Sequence, residues 1–152
     1  MKWLEEPIWP PENYNGLAQL RLACGIPIAA GENVSTPMDF ERLMAEEAVD
    51  FLQPSVAKMG GISESIKIFF AAATRNVTVM PHVFYDGPEL LAAIHLAAAL
   101  GTADAMIEWR YFDLEAQIYG AFYPQRGRVV VPQGPGLGIE PDPNVIRDYL
   151  RR

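Results

Sequence analysis

Short apolar runs of strand type alternate with helix-type segments along this chain, and this alternation most constrains its fold. The runs are brief and bounded by glycine, proline or acidic residues: 3–6, 26–31, 49–53, 77–80 and 105–109. Between them, apolar residues recur at helical spacing, as in Leu17, Leu20 and Cys24. Because short buried strands separated by helices are typical of parallel βα units, the sequence predicts an α/β fold with about five such units.

The alternation ends near residue 122. Residues 126–132 are expected to form a turn and a strand, 134–138 a tight loop rich in glycine, and 144–151 a short terminal helix. We therefore divide the chain into a βα region (1–122) and a C-terminal tail (123–152), which we expect to pack on something other than the sheet.

Charge and composition exclude several classes of function. The 152 residues include 12 Lys and Arg against 19 Asp and Glu, a net charge of −7, and no basic cluster suits nucleic acid. The apolar runs are too short to span a bilayer, and the first residues carry acids where a signal peptide needs apolar ones. The single cysteine, Cys24, excludes an internal disulfide. We expect a cytoplasmic protein that binds neither nucleic acid nor membrane.

Polar residues recur where each predicted strand ends: Glu5, Glu32, Ser55, His82 and Glu108, spaced by 27, 23, 27 and 26 residues. In α/β folds, ligand chemistry is carried at the carboxyl ends of parallel strands. One acid at such a position can simply cap the next helix. Recurrence in five successive units favours a shared ligand site.

Five segments occur in a characteristic order: Trp3-Leu4-Glu5-Glu6-Pro7, Gly31-Glu32-Asn33, Gln53 to Gly61, Pro81-His82, and Pro132 to Ile139. Together they resemble the enolase superfamily, and more narrowly its mandelate racemase and muconate lactonizing branch. The resemblance implies the C-terminal part, strands four to eight, of a modified TIM (β/α)8 barrel. Region 1–122 would be this partial barrel, and the tail would pack on a capping domain that the sequence lacks.

The resemblance also implies a Mg²⁺ site and a substrate. Glu5 and Glu32 match the second and third metal ligands of the family, and carboxylate oxygens suit this cation. The implied substrate is a small carboxylate. Its α-proton is removed, and the resulting enediolate is stabilised by the metal.

Further residues match positions around that reaction. His82 matches the general base of strand seven, and Glu108 matches an acid of strand eight that contacts the substrate. Lys58 resembles a lysine near the metal, although a structural ion pair explains it equally well. His95 shares a helical face with Leu91 and is expected to serve packing instead.

One residue departs from the family pattern. Ser55 stands where members with an active histidine base carry an aspartate, which orients the imidazole and stabilises its charged form. A serine hydroxyl supplies no charge. We therefore expect His82 to be a weaker base, or an acid towards a leaving hydroxyl. This favours dehydration or cycloisomerisation over racemisation.

The family's first metal ligand and its second base would precede Glu5, so this chain alone is expected to be inactive and to bind Mg²⁺ weakly or not at all. Five strands cannot close an eight-stranded barrel. Exposed strand edges predict a homo-oligomer, or pairing with the missing N-terminal part.

The favoured function is thus the C-terminal portion of a Mg²⁺-dependent lyase or isomerase: a sugar-acid dehydratase, a cycloisomerase or a racemase. The alternative is a truncated, non-catalytic half-barrel that acts only as a subunit or is an inactive fragment. An open flavodoxin-like sheet is disfavoured, because no glycine-rich phosphate loop follows the first strand.

Overall fold

The computed structural model describes residues 1–109, 114–120 and 122–150. Four parallel strands form one sheet in sequence order: β1 (Leu4–Glu5), β2 (Ile28–Ala30), β3 (Phe51–Leu52) and β4 (Thr78–Val79). The helices are α1 (Tyr14–Cys24), α2 (Pro37–Ala45), α3 (Ile62–Thr74), α4 (Pro88–Leu100) and α5 (Pro143–Tyr149). One helix connects each pair of consecutive strands and α4 follows β4, which confirms the predicted α/β class.

Side chains alternate between the two faces of the sheet. Ile28, Ala30, Leu52 and Val79 belong to the core together with apolar side chains of the helices. On the opposite face, the rings of Trp3 and Phe51 pack with centroids 5.0 Å apart. Leu4 packs against the core, so the next residue, Glu5, points to the opposite face. The predicted site therefore lies at the carboxyl end of this opposite face.

The strands are shorter than the predicted runs, but backbone hydrogen bonds continue past their ends. The Gln53 N–H donates to the Ala30 carbonyl (3.0 Å), and the Met80 N–H donates to the Leu52 carbonyl (2.8 Å). The His82 N–H donates to the Pro54 carbonyl (3.2 Å). The carboxyl ends of neighbouring strands are therefore held side by side up to the residues of the predicted site.

The fifth predicted strand, 105–109, does not join the sheet. The Glu108 N–H donates to the Pro81 carbonyl at 3.5 Å, while the Met106 N–H donates to the Met80 sulfur at 3.2 Å. A β-ladder needs successive hydrogen bonds between backbone groups. In this segment the Met106 N–H is bonded to a side-chain sulfur instead of a backbone carbonyl, so the ladder is not formed. The segment nevertheless runs beside the end of β4 and keeps Glu108 near His82.

The tail differs in part from expectation. Instead of a strand over 126–132, one antiparallel bridge joins Gln125 and Arg128, and residues 129–132 are not in a strand. This bridge only closes a turn, since no neighbouring strand continues it. The loop of 134–138 is tight as predicted, with the Gly138 N–H donating to the Pro135 carbonyl (3.0 Å).

The terminal helix is confirmed as α5, although its predicted last residue, Arg151, lies outside the described residues. The imidazole Nε2 of His95 in α4 lies 3.1 Å from the Leu137 carbonyl, so His95 joins α4 to the tail, as the predicted packing role implies. Within the described ranges, no helix has both the length and the apolar character needed to cross a membrane.

A half-buried carboxylate ties α1 to the amino ends of β2 and β3. Asp50 Oδ2 accepts from the Ile28 N–H (2.8 Å), and its Oδ1 accepts from Arg21 Nε (2.9 Å). Burial acts to raise the pKa of Asp50, but the hydrogen bonds from Arg21 and Ile28 and the charge of Arg21 outweigh burial and lower it. The ionised form is therefore the one that stabilises the fold.

We predict that Asp50→Asn lowers the free energy of unfolding by about 1–3 kcal/mol at pH 7, because it removes charge-assisted hydrogen bonds. The folded pKa lies below the unfolded value of about 3.9, so this stabilisation is present above that pH and is lost as pH falls through the folded pKa. The difference in free energy of unfolding between wild type and Asp50→Asn should therefore decrease as the pH of the urea titration is lowered. Asp148→Asn, in the exposed Arg147–Asp148 pair, is the control and should leave stability unchanged.

Candidate functional site

The structure brings together three of the polar residues predicted at strand ends. Glu5 ends β1, Glu32 follows β2 by two residues, and His82 follows β4 by three. One possible ligand atom from each lies within 4.8 Å of the others. The parallel register thus gathers into one place groups that are 77 residues apart in sequence.

His82 is the buried centre of this group. The residue is only 2% exposed, and its ring packs edge-on against Phe84, with centroids 5.2 Å apart. Its Nδ1 lies 3.2 Å from Glu32 Oε2 and 2.7 Å from Glu108 Oε2. We call Glu5, Glu32, His82 and Glu108 the strand-end cluster.

The carboxyl of Glu108 is affected by this environment. Burial raises its pKa, and the negative charges of Glu5 and Glu32 add to the effect. The charge of His82 and a hydrogen bond from the Val83 N–H act in the opposite direction but do not cancel it. Glu108 therefore holds a proton more readily than an exposed glutamate.

Local backbone geometry decides where Glu32 lies. Gly31, which precedes it, has φ +128°, a conformation that residues with a side chain rarely adopt. A Cβ at Gly31 would lie 2.8 Å from Cε1 of Phe40, which is fully buried. A glycine is required here both for backbone conformation and for space.

The adjacent acids Glu5 and Glu6 have different surroundings. Glu5 Oε2 accepts from Trp3 Nε1 (3.1 Å), and the residue contributes to the strand-end cluster. Glu6 Oε2 accepts from Asn33 Nδ2 (2.8 Å), so Glu6 joins the loop after β1 to the loop after β2. Of the two acids, Glu5 is therefore the one that lies in the strand-end cluster.

The hydroxyl of Ser55 is directed to a carboxylate that the sequence analysis missed. Ser55 is completely buried, and its Oγ donates to Glu89 Oε1 at 2.5 Å. The Ala57 N–H donates to the same oxygen (3.2 Å). The sequence signal that could have indicated Glu89 is its position directly after Gly87-Pro88, in the first turn of α4. The Ser55 hydroxyl therefore donates its hydrogen to Glu89.

Lys58, the remaining candidate, lies at the edge of the site. Its Nζ donates to the backbone carbonyl of Glu32 (3.0 Å) rather than to a carboxylate of the cluster. Lys58 therefore links the loop after β3 to the loop that carries Glu32.

The donor atoms of the cluster determine which cations it suits. The carboxylates of Glu5 and Glu32 offer the hard oxygen ligands that Mg²⁺ prefers, and a few carboxylates leave room for water and substrate. Imidazole nitrogen instead suits transition metals. Two of the three converging groups therefore fit Mg²⁺, and the third allows other ions as well.

A comparison with known protein families gives a match over most of the chain. Residues 1–145 match the family described as enolase C-terminal domain-like. The chain belongs to this family. The match confirms the resemblance seen in the sequence, and it covers both the βα region and most of the tail.

Characterised relatives include enzymes acting on sugar acids. The chain is 31% identical to D-galactarolactone cycloisomerase of Agrobacterium fabrum and 34% identical to arabinonate dehydratase of Saccharolobus solfataricus, in each case over 97% of this chain. It covers 41% and 39% of those two proteins, so the chain spans about two fifths of their length.

A solved structure shows the same fold. The 3,6-anhydro-D-galactonate cycloisomerase of Zobellia galactanivorans superposes with a TM-score of 0.88 at 33% identity, over 100% of this chain and 43% of that one. The four-stranded sheet with its helices is therefore the arrangement found in enolase-superfamily barrels.

We predict that Gly31→Ala lowers the free energy of unfolding by more than Gly25→Ala does. Both glycines have positive φ, so each substitution strains the backbone by about 1–2 kcal/mol. A Cβ at Gly25 meets nothing within 4 Å, whereas one at Gly31 meets Phe40. We expect an additional cost of about 1–3 kcal/mol at Gly31 from overpacking, measured by urea denaturation. Equal costs would show that the contact with Phe40 does not constrain this turn.

Proposed function

We propose that this chain forms the C-terminal portion of a Mg²⁺-dependent enzyme that removes the proton α to the carboxylate of a sugar acid and stabilises the enediolate. The observation that carries the proposal is His82, a buried imidazole facing the carboxylates of Glu32 and Glu108 at the carboxyl end of a parallel sheet. The relatives are a sugar-lactone cycloisomerase and a sugar-acid dehydratase, which favours those reaction types over racemisation.

Each residue of the strand-end cluster has a proposed role. Glu5 and Glu32 would hold Mg²⁺, whose charge stabilises a developing enediolate when the ion is bound. His82 exchanges a proton with the substrate at a ring nitrogen. Glu108 hydrogen-bonds the substrate carboxylate or the developing enediolate. Lys58 holds the backbone of Glu32 in place.

The pair formed by Ser55 and Glu89 bears on the direction of proton transfer. Ser55 carries no carboxylate and its hydroxyl donates to Glu89, so Glu32 and Glu108, and not residue 55, are the carboxylates that face His82. We propose that His82 acts as an acid towards a leaving hydroxyl, as a dehydratase or cycloisomerase requires.

The complete site would need groups beyond this chain. The resemblance places a third carboxylate ligand and a second base before Glu5, so we propose that the chain works together with those residues and binds Mg²⁺ only weakly by itself. The competing proposal is a non-catalytic half-barrel that serves as a subunit.

The test is α-proton exchange in D₂O, followed by NMR, with the longest product of the reading frame that encodes this chain. Aldonic acids, aldaric acids and their lactones are the substrates to use. We expect Mg²⁺-dependent turnover of at least one of them: the α-carbon loses its proton and becomes the keto carbon of the product, so deuterium appears at the neighbouring carbon that lost its oxygen substituent. His82→Asn should reduce the rate by about 10²–10⁴-fold, because a general acid–base group contributes that much.

The control is His95→Asn, since His95 contacts the Leu137 carbonyl in the tail and not the cluster. It should retain the wild-type rate. A product that folds, binds Mg²⁺ and neither turns over nor exchanges any of these substrates would favour the non-catalytic half-barrel.

A second prediction concerns Ser55. Ser55→Asp alone would place a second carboxylate beside Glu89, so repulsion should oppose any gain in base strength at His82. The double variant Ser55→Asp, Glu89→Gln removes this repulsion. We expect the double variant to lose dehydration or cycloisomerisation and to gain α-proton exchange in the same D₂O assay. An unchanged ratio of the two reactions in the double variant would contradict the assignment of Ser55.

A further inference from the structure

A groove opens at the amino ends of β2, β3 and β4, at the opposite end of the sheet from the strand-end cluster. Its volume is about 620 Å³, within the range of binding sites that enclose a ligand. Buried Met44 and Val49 and half-buried Phe51 give it apolar surface. We call it the amino-end groove. It is large enough to take side chains of another molecule, and the proposed reaction does not use it.

The uncompensated charge of the amino-end groove is negative. Its two arginines are neutralised: Arg21 pairs with Asp50 at 2.7 Å. Arg75 pairs with Glu41 at 2.5 Å. The carboxylate of Glu47 lines the groove and forms no ion pair within the described residues. Helices α2 and α3 end beside the groove, and the carbonyl end of a helix carries a partial negative charge. The groove therefore attracts a cationic group.

The tail presents a turn that carries basic side chains. Arg126 and Gly127 form a two-residue loop between Gln125 and Arg128, whose backbone groups exchange two hydrogen bonds (2.7 and 3.0 Å). Both loop residues have positive φ, +52° and +73°, the pattern of a type I′ turn, which favours Asn, Asp and Gly. The backbone therefore disfavours an arginine at position 126, and its charge needs another explanation. We call residues 125–128 the basic turn.

Arg126 and Arg128 are both exposed, and neither side chain has an ion pair or a hydrogen bond in the part of the chain that the structure describes. Every other described Lys or Arg forms one or the other. Val130, two residues further on, is 71% exposed and adds apolar surface. The basic turn does not line the groove of its own chain. The two complementary surfaces are thus both left open in a single copy.

We propose that the basic turn of one copy of this chain docks in the amino-end groove of a second copy. Arg126 and Arg128 face Glu47 and the carbonyl ends of the helices, while Val130 packs on the apolar surface of the groove. Opposite charges give such a contact its specificity. The contact involves neither the free strand edges nor the strand-end cluster, so it does not rest on the proposed function.

The experiment measures self-association by sedimentation, using the longest product of the reading frame that encodes this chain. The turn variant is Arg126→Glu, Arg128→Glu, and the groove variant is Glu47→Arg. Each variant alone has like charges on the two surfaces. Its dissociation constant should therefore rise at least about tenfold over wild type. Added NaCl should also weaken the wild-type association, because salt screens exposed charges.

An equimolar mixture of the two variants is the decisive sample. In the mixture, the acidic turn of one variant meets the basic groove of the other, and the unchanged turn meets the unchanged groove. Association should therefore return, although each variant fails alone. Association through strand edges does not depend on these charges and would show no such pattern.

Two matched variants are the controls. Glu46→Arg changes the neighbour of Glu47, which is exposed but does not line the groove. Arg147→Glu changes another exposed arginine of the tail, which is paired with Asp148. Both should associate as the wild type does. Circular dichroism checks that every variant is folded.

Any of three results would overturn the proposal: a wild-type protein that stays monomeric, charge-reversed variants that associate like wild type, or a mixture that does not regain association. If a reversed variant does not fold, Glu47→Gln and Arg126→Asn replace it, since asparagine suits the turn. Each should weaken association, and an unchanged dissociation constant refutes the contact. Failure of the D₂O assay would leave these measurements unaffected, so the two proposals fail separately.

Discussion

The in-register parallel pairing of four short strands is the constraint on which the rest of the structure depends. The backbone hydrogen bonds that continue past β2, β3 and β4 hold the carboxyl ends of these strands level with one another. A slip of one residue would reverse the faces of a strand. It would turn Glu5 towards the core and Leu4 towards the site. The hydrophobic core beneath the sheet therefore fixes the register, and the register determines the site.

Placing ionisable groups at this edge has a physical cost, which the surroundings only partly offset. Burial raises the pKa of Glu108, and His82 makes no aligned hydrogen bond among the described residues. Such incompletely satisfied groups are unfavourable for folding but common at functional sites. At the opposite end of the sheet, Asp50 is satisfied by both the Ile28 N–H and Arg21. The polar groups at the amino end are thus paired and stabilise the fold, whereas those at the carboxyl end are less completely satisfied.

Much of the fold could be predicted from local patterns, because β runs and helical faces are short-range features of the sequence. The fifth run, 105–109, looked like a strand by composition but lacks the ladder, since the Met106 N–H bonds the Met80 sulfur. Composition reports burial, whereas a strand also needs backbone partners that lie far away in sequence. The bond from Ser55 to Glu89 was missed for a similar reason: its two residues are 34 positions apart, and each by itself has an ordinary explanation.

By itself, the sequence determined the class of fold, the family and the polar residues at strand ends, because repeat length, apolar spacing and motif order are written along the chain. Tertiary structure decided which of those residues meet. It joins Glu5, Glu32 and His82 in one cluster, directs Glu6 to Asn33, and directs the Ser55 hydroxyl to Glu89. The physical reason is that ligand sets depend on side-chain direction and distances of a few ångströms. Packing between helices and sheet fixes these quantities, and the order of residues alone does not.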